Sequence, residues 1–106
     1  MPWFGVKVLR RSIVSDAPPS DDLYEESVFL VIADDDEGAA ERARQLAQET
    51  TTSYENVYGE LVTWRLEQVF HPFKIWDFEL ADGLEVYSRF YYLLDGREVS
   101  PRDMPD

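Results

Sequence analysis

Val28-Phe29-Leu30-Val31-Ile32-Ala33 is the longest unbroken apolar run in the chain, and Asp34-Asp35-Asp36-Glu37 follows it directly. Six residues are too few for a helix, and the β-branched and aromatic content reads as a strand. Alternation along a strand places Val28, Leu30 and Ile32 on one face and Phe29, Val31 and Ala33 on the other. With both faces apolar, the run is expected to form a central strand shielded from water on its two sides. A helix is expected on one side, and a second covering agent or a partner on the other.

Downstream of the run, the acids open a helix predicted over residues 35–51. Asp34 stands three residues before Glu37, the spacing of a capping box, and carboxylates favour the positive end of a helix. Ala39, Ala40, Ala43, Leu46 and Ala47 recur at helical spacing as a narrow stripe of small side chains, which lets a helix lie close against a sheet. Thr50 to Ser53 stop it, because such side chains lose freedom in a helix or compete for its backbone bonds. Upstream, the strand extends back to residue 23, preceded by a loop over residues 16–22 with Pro18-Pro19, which cannot donate to a ladder. Residues 3–14 form the first predicted strand.

Past the helix, Asn56 and Gly59 mark a turn, and residues 61–71 form a strand with Val62, Trp64, Leu66 and Phe70 on one side. Pro72 forces a bulge, a bend or an edge position there. Residues 73–80 resume the strand or cover the core as a loop. Asp82-Gly83 is a turn signal, and residues 85–94 form the last predicted strand. The expected fold class is therefore α+β, in the order β-β-α-β-β, a mostly antiparallel sheet of about four strands with one helix packed on one face. Residues 1–94 are read as a single α+β domain and residues 95–106 as a turn and a frayed tail.

The 106 residues are 44% hydrophobic and 14% aromatic, enough for one modest core. Cysteine is absent, which excludes disulfides, thiol nucleophiles and zinc ribbons. No apolar stretch reaches the length of a membrane span and no leader is recognised, so the cytoplasm is the expected location. Twenty-two acids against 10 bases leave a net charge of −12. Residues 12–41 carry ten acids and neither Lys nor Arg. Such a surface repels phosphate backbones and anionic membranes, so neither nucleic acid nor membrane is an expected partner. It would steer a basic protein, with Asp21, Asp22, Glu25, Glu26, Asp34, Asp35 and Asp36 as the steering groups.

No phosphate loop, dinucleotide fingerprint or zinc-protease motif occurs, and no metal or other cofactor is expected. Asp34-Asp35-Asp36 lacks the ligand spacing of a calcium loop and is accounted for by a helix start. Glu25 and Glu26 point to opposite faces of a strand and cannot act as a pair. His71, the single histidine, has no assignable nucleophile. A binding surface is the stronger candidate. If Phe4, Val6 and Val8 face the helix, then Trp3, Lys7, Leu9, Arg65, Glu67, Tyr87, Arg89 and Tyr91 are expected to join Phe29 and Val31 on the opposite face. Aromatic groups mixed with Arg suit an interface centre, and Trp3, Lys7, Phe29, Arg65, Tyr87, Arg89 and Tyr91 are the candidate binding residues. The alternative is closure from within, by Phe73, Trp76 and Phe78.

The segments Trp3-Phe4-Gly5-Val6-Lys7-Val8-Leu9, Leu23-Tyr24-Glu25-Glu26, Ala33 to Ala39, Tyr58-Gly59-Glu60, Trp64 and Glu85 to Phe90 together resemble a family of small prokaryotic proteins known as domain of unknown function 4288. The resemblance implies a stand-alone prokaryotic domain and brings no activity, cofactor or catalytic residue. The expected function is a non-enzymatic interaction module, of which an immunity-type inhibitor of a basic toxin or nuclease is one form. The alternatives are a small-ligand sensor or enzyme with a pocket near Arg89, and a structural homodimer.

Overall fold

A computed structural model describes residues 1–15, 23–76 and 79–99. Its elements are β1 (Trp3–Val14), β2 (Tyr24–Ile32), α1 (Asp36–Glu49), β3 (Ser53–Glu55), β4 (Leu61–Val69), β5 (Phe73–Ile75), β6 (Tyr92–Leu94) and β7 (Arg97–Val99). The expected α+β class holds: one antiparallel sheet carries α1 on one face.

The strand order is β2-β1-β4-β3, with β5 also paired to β1. The central strand is thus β1, and β2, which contains the apolar run, forms an edge. This corrects the expectation of a central position for residues 28–33. Local alternation registers which faces are apolar but carries no information on lateral neighbours. The inner face of β2 is buried as expected, with Val31 and Ala33 in the core and Phe29 packed against it. Its other face is not covered: Val28, Leu30 and Ile32 are 48%, 40% and 46% exposed.

β1 owes its position to alternation along twelve residues. Phe4, Val6 and Val8 point to the helix and are the largest fully buried side chains. Across from them stand Val31, Phe29 and Ser27 of β2. On the opposite flank of β1, β4 pairs with Val8–Val14 and β5 with Trp3–Gly5. Pro72 lies between these two strands, where a residue without an N–H interrupts the ladder at little cost. A bulge opposite Leu9 and Arg10 sets Val69 across from Val8 and Leu66 across from Arg10. The extra residue moves Val69 onto the helix face and Phe70 onto the other, so Phe70 does not share a side with Val62, Trp64 and Leu66.

Helix α1 begins one residue later than its capping-box spacing suggested. Asp35, not Asp34, is the cap, and its Oδ1 accepts from the Gly38 N–H at 2.7 Å. Ala39, Ala43 and Ala47 are fully buried against the sheet. At the far end Thr50 Oγ1 donates to the Leu46 carbonyl at 2.9 Å and Thr51 Oγ1 to that of Ala47 at 2.8 Å. These are the competing side-chain bonds that stop a helix.

Two segments depart from the predicted order. Ser53–Glu55 forms the short outer strand β3 on β4. Residues 85–91, expected to be strand, have no ladder partner among the described residues and run across a face of the sheet instead. β6 and β7 form a separate hairpin around Asp95-Gly96, both at positive φ (51° and 78°). That backbone suits a tight hairpin turn, and Gly adopts it without steric cost. Of the segment read as a turn and tail, residues 97–99 form β7, and residues 100–106 lie outside the described residues.

Candidate functional site

The face of the sheet turned away from α1 carries Trp3, Gly5, Lys7, Leu9 and Arg11 of β1. Gly5 decides what lies over it. A Cβ built there would fall on the carbonyl of Val86, with the Tyr87 Cβ 3.8 Å away. Residues 84–91 therefore cross the sheet as a strap in direct backbone contact with β1. The covering agent is this strap, not Phe73 and Trp76: Phe73 belongs to β5, Trp76 is 75% exposed, and Phe78 lies outside the described residues.

Beneath and beside the strap is a cluster of cations and rings. Lys7 stands over the Phe70 ring at 4.9 Å and pairs with Glu26 at 2.9 Å. Arg89 stands over the same ring at 5.3 Å and over Tyr91 at 4.7 Å, and donates to Glu98 of β7 at 2.7 Å. The bond to Glu98 holds the Arg89 guanidinium above its ordinary pKa. The Tyr87 hydroxyl is buried with no hydrogen-bond partner among the described residues, and burial pushes its pKa up. Of the expected binding residues, Lys7, Tyr87, Arg89 and Tyr91 gather here, and Trp3 shares the face. Arg89 pairs with Glu98, while Glu67 pairs with Arg11 at 3.2 Å.

Phe29 and Arg65 do not join them. Phe29 and Val31 lie on the helix side, because both stand across from helix-facing residues of β1. Arg65 stands across from Arg11 at the far end of the sheet and is exposed. The acids divide as well. Glu25 and Glu26 are bound to Arg10 and Lys7, Asp35 caps the helix, and Asp36 approaches His71 at 3.4 Å. Asp34 is exposed, and Asp21 and Asp22 lie outside the described residues.

Arg10 was not among the expected residues, although it falls in phase with Phe4, Val6 and Val8, and that phase was the available signal. It is 6% exposed. Its Nη1 donates to Glu25 at 2.9 Å, and its Nη2 donates to Thr50 Oγ1 at 2.6 Å and to the Ala47 carbonyl at 3.3 Å. A cation from β1 thus meets the negative end of α1, whose last turn contains no basic residue of its own. An open depression of about 130 Å³ borders it, lined by Glu25, Thr50, Thr52 and Trp64.

The edge of β2 is the remaining feature. Ala33 N–H donates to the Pro2 carbonyl and Ser12 N–H to that of Leu23. In an antiparallel ladder these two bonds fix the parity: the odd-numbered residues 23–33 direct their backbone groups to β1. Tyr24, Glu26, Val28, Leu30 and Ile32 direct theirs outward. Among the described residues no strand pairs with that outer edge. Exposed apolar side chains and outward backbone groups therefore belong to the same residues.

A family model described as Domain of unknown function (DUF4288) matches residues 3–88. The chain belongs to this family. The DUF4288 match spans β1 to the middle of the strap, so the Gly5–Val86 contact lies inside it and the β6–β7 hairpin outside it. No curated protein and no solved structure matches the chain significantly. Among the described residues, no group of three or more His, Asp and Glu side chains is placed to hold a metal ion, and no helix is long and apolar enough to cross a membrane.

Proposed function

We propose that this DUF4288 protein is a non-enzymatic interaction module that captures a basic partner, in the manner of an immunity-type inhibitor of a toxin or nuclease. One observation carries the reading: an apolar edge strand, exposed at Val28, Leu30 and Ile32, on a protein of net charge −12. A contiguous apolar strip bordered by charge is the usual signature of a docking site. The acidic surface supports fast, salt-sensitive capture of a cation-rich protein. The cation and aromatic cluster around Arg89 supports a structural role, since Glu98, Phe70 and Tyr91 already engage the guanidinium.

The test starts from gene neighbours. A basic toxin or nuclease encoded beside family members is expected, and its purified product should lose activity on addition of this protein. Affinity should fall steeply as salt rises from about 0.05 to about 0.5 M. Neighbouring products that are all acidic, or binding indifferent to salt, would refute the reading.

A further inference from the structure

We infer that the free edge of β2 receives an extended segment of the basic partner as an added strand, with alternate residues apolar and alternate residues Lys or Arg. This rests on the interaction reading above and specifies its geometry. An exposed edge with unpaired N–H and C=O groups is a template for strand addition, and natural proteins usually blunt it with Lys, Pro or a bulge. Here the outward-directed positions Val28, Leu30 and Ile32 hold none of these. In strand addition the main chain supplies affinity and alternate side chains supply selectivity. Incoming side chains across from Val28, Leu30 and Ile32 share their face and are best apolar.

Charge decides the occupant. Glu26 borders the strip at one end, and Asp34, Asp35, Asp36 and Glu37 follow Ala33 at the other. A second copy of this chain would bring another −12 to the same place, whereas a basic segment is attracted.

The probe is a capped peptide alternating valine and lysine over about nine residues, a strand's length. Its controls are the same peptide N-methylated at alternate residues and an acidic version alternating valine and glutamate. In the free protein the amides of Glu26, Val28, Leu30 and Ile32 should exchange with solvent quickly, and those of Ser27, Phe29 and Val31 slowly. The basic peptide should slow the outward amides at least about tenfold, and both controls should bind at least about tenfold more weakly. Leu30→Pro removes one outward N–H and leaves the bonds to β1 in place, so it should fold and lose binding by a similar factor. Leu30→Lys serves as the second variant and should lose binding through charge.

Binding that leaves the outward amides unprotected, or that survives both Leu30 variants, would overturn strand addition while leaving the wider interaction reading to its own gene-neighbour test. No binding of the basic peptide at low salt would also overturn it. A doubled mass in solution, with the same amides protected in the absence of peptide, would assign the edge to a second copy and overturn it equally.

Discussion

Gly5 and Tyr87 are the residues on which the covering of the second face turns. Gly5 lacks a Cβ where the Val86 backbone passes. Its backbone is ordinary strand, so a side chain there is refused by contact rather than by conformation. Gly5→Ala should displace the strap, cost about 1–3 kcal/mol and speed exchange across residues 84–91. Normal exchange there with an unchanged melting midpoint would disprove the contact. Tyr87 buries a hydroxyl that no group among the described residues accepts from or donates to. Its folded pKa is raised above 10.0, so the folded state holds the proton more tightly than the unfolded state does. That contribution is fully present below pH 10 and is lost as pH climbs through the folded value. Tyr87→Phe should reduce the loss of stability measured above pH 10. It should also leave neutral-pH stability unchanged or raise it by about 1 kcal/mol, because an unsatisfied buried group is removed.

Among the elements, Arg10 joins three at once: β1 carries it, β2 supplies Glu25 and α1 supplies its terminal carbonyl and Thr50. Arg10→Ala should lower stability by about 2–3 kcal/mol. Arg10→Lys should recover less than half of that, because a single ammonium cannot span the fork. Equal stability of wild type and Arg10→Lys, by denaturant titration, would show the fork to be dispensable. The strands themselves were unevenly legible in the sequence. β1 was readable to its ends, because aromatic and β-branched residues mark both of them, Trp3, Phe4, Val6 and Val8 at one and Ile13 and Val14 at the other. The helix was off by one residue at its cap, since Asp34, Asp35 and Asp36 are equally good candidates by composition. β2 was recognisable as a strand but not as an edge. A row such as Val28, Leu30 and Ile32 reads identically whether a neighbouring strand, a strap or a binding partner is meant to cover it. The strap was misread for a related reason: Glu85 to Tyr91 has strand composition, yet it lies on the sheet instead of in it. Tyr87, Arg89 and Tyr91 reach the second face on the strap rather than by strand alternation, and of the binding residues face membership was legible for Trp3 and Lys7. Phe29 was not, because its side depends on the β1–β2 register.

At the scale of the molecule, the core is thin. Of the eight residues in its main buried cluster, Ala33, Ala39, Ala43 and Ala47 are alanines. The radius of gyration is 16.6 Å, against about 13 Å for a compact chain of this length. A small core is set against strong self-repulsion from a charge of −12. Salt should therefore stabilise the protein, raising its melting midpoint by several degrees between about 0.05 and about 0.5 M NaCl, while weakening capture of a basic partner. Opposite responses of stability and binding to one variable separate long-range repulsion from complementarity. A midpoint indifferent to salt would remove the first.

Because β1 collects β2 on one flank and both β4 and β5 on the other, the piece of chain synthesised earliest among these elements is the last to be complete. As it leaves the ribosome, Val8 has no ladder on one side until Val69 emerges, and Phe4 none until Lys74 does. Assembly on such a late-closing template depends on pairings distant in sequence, which slows folding and leaves the first strand's apolar face open to water for longer.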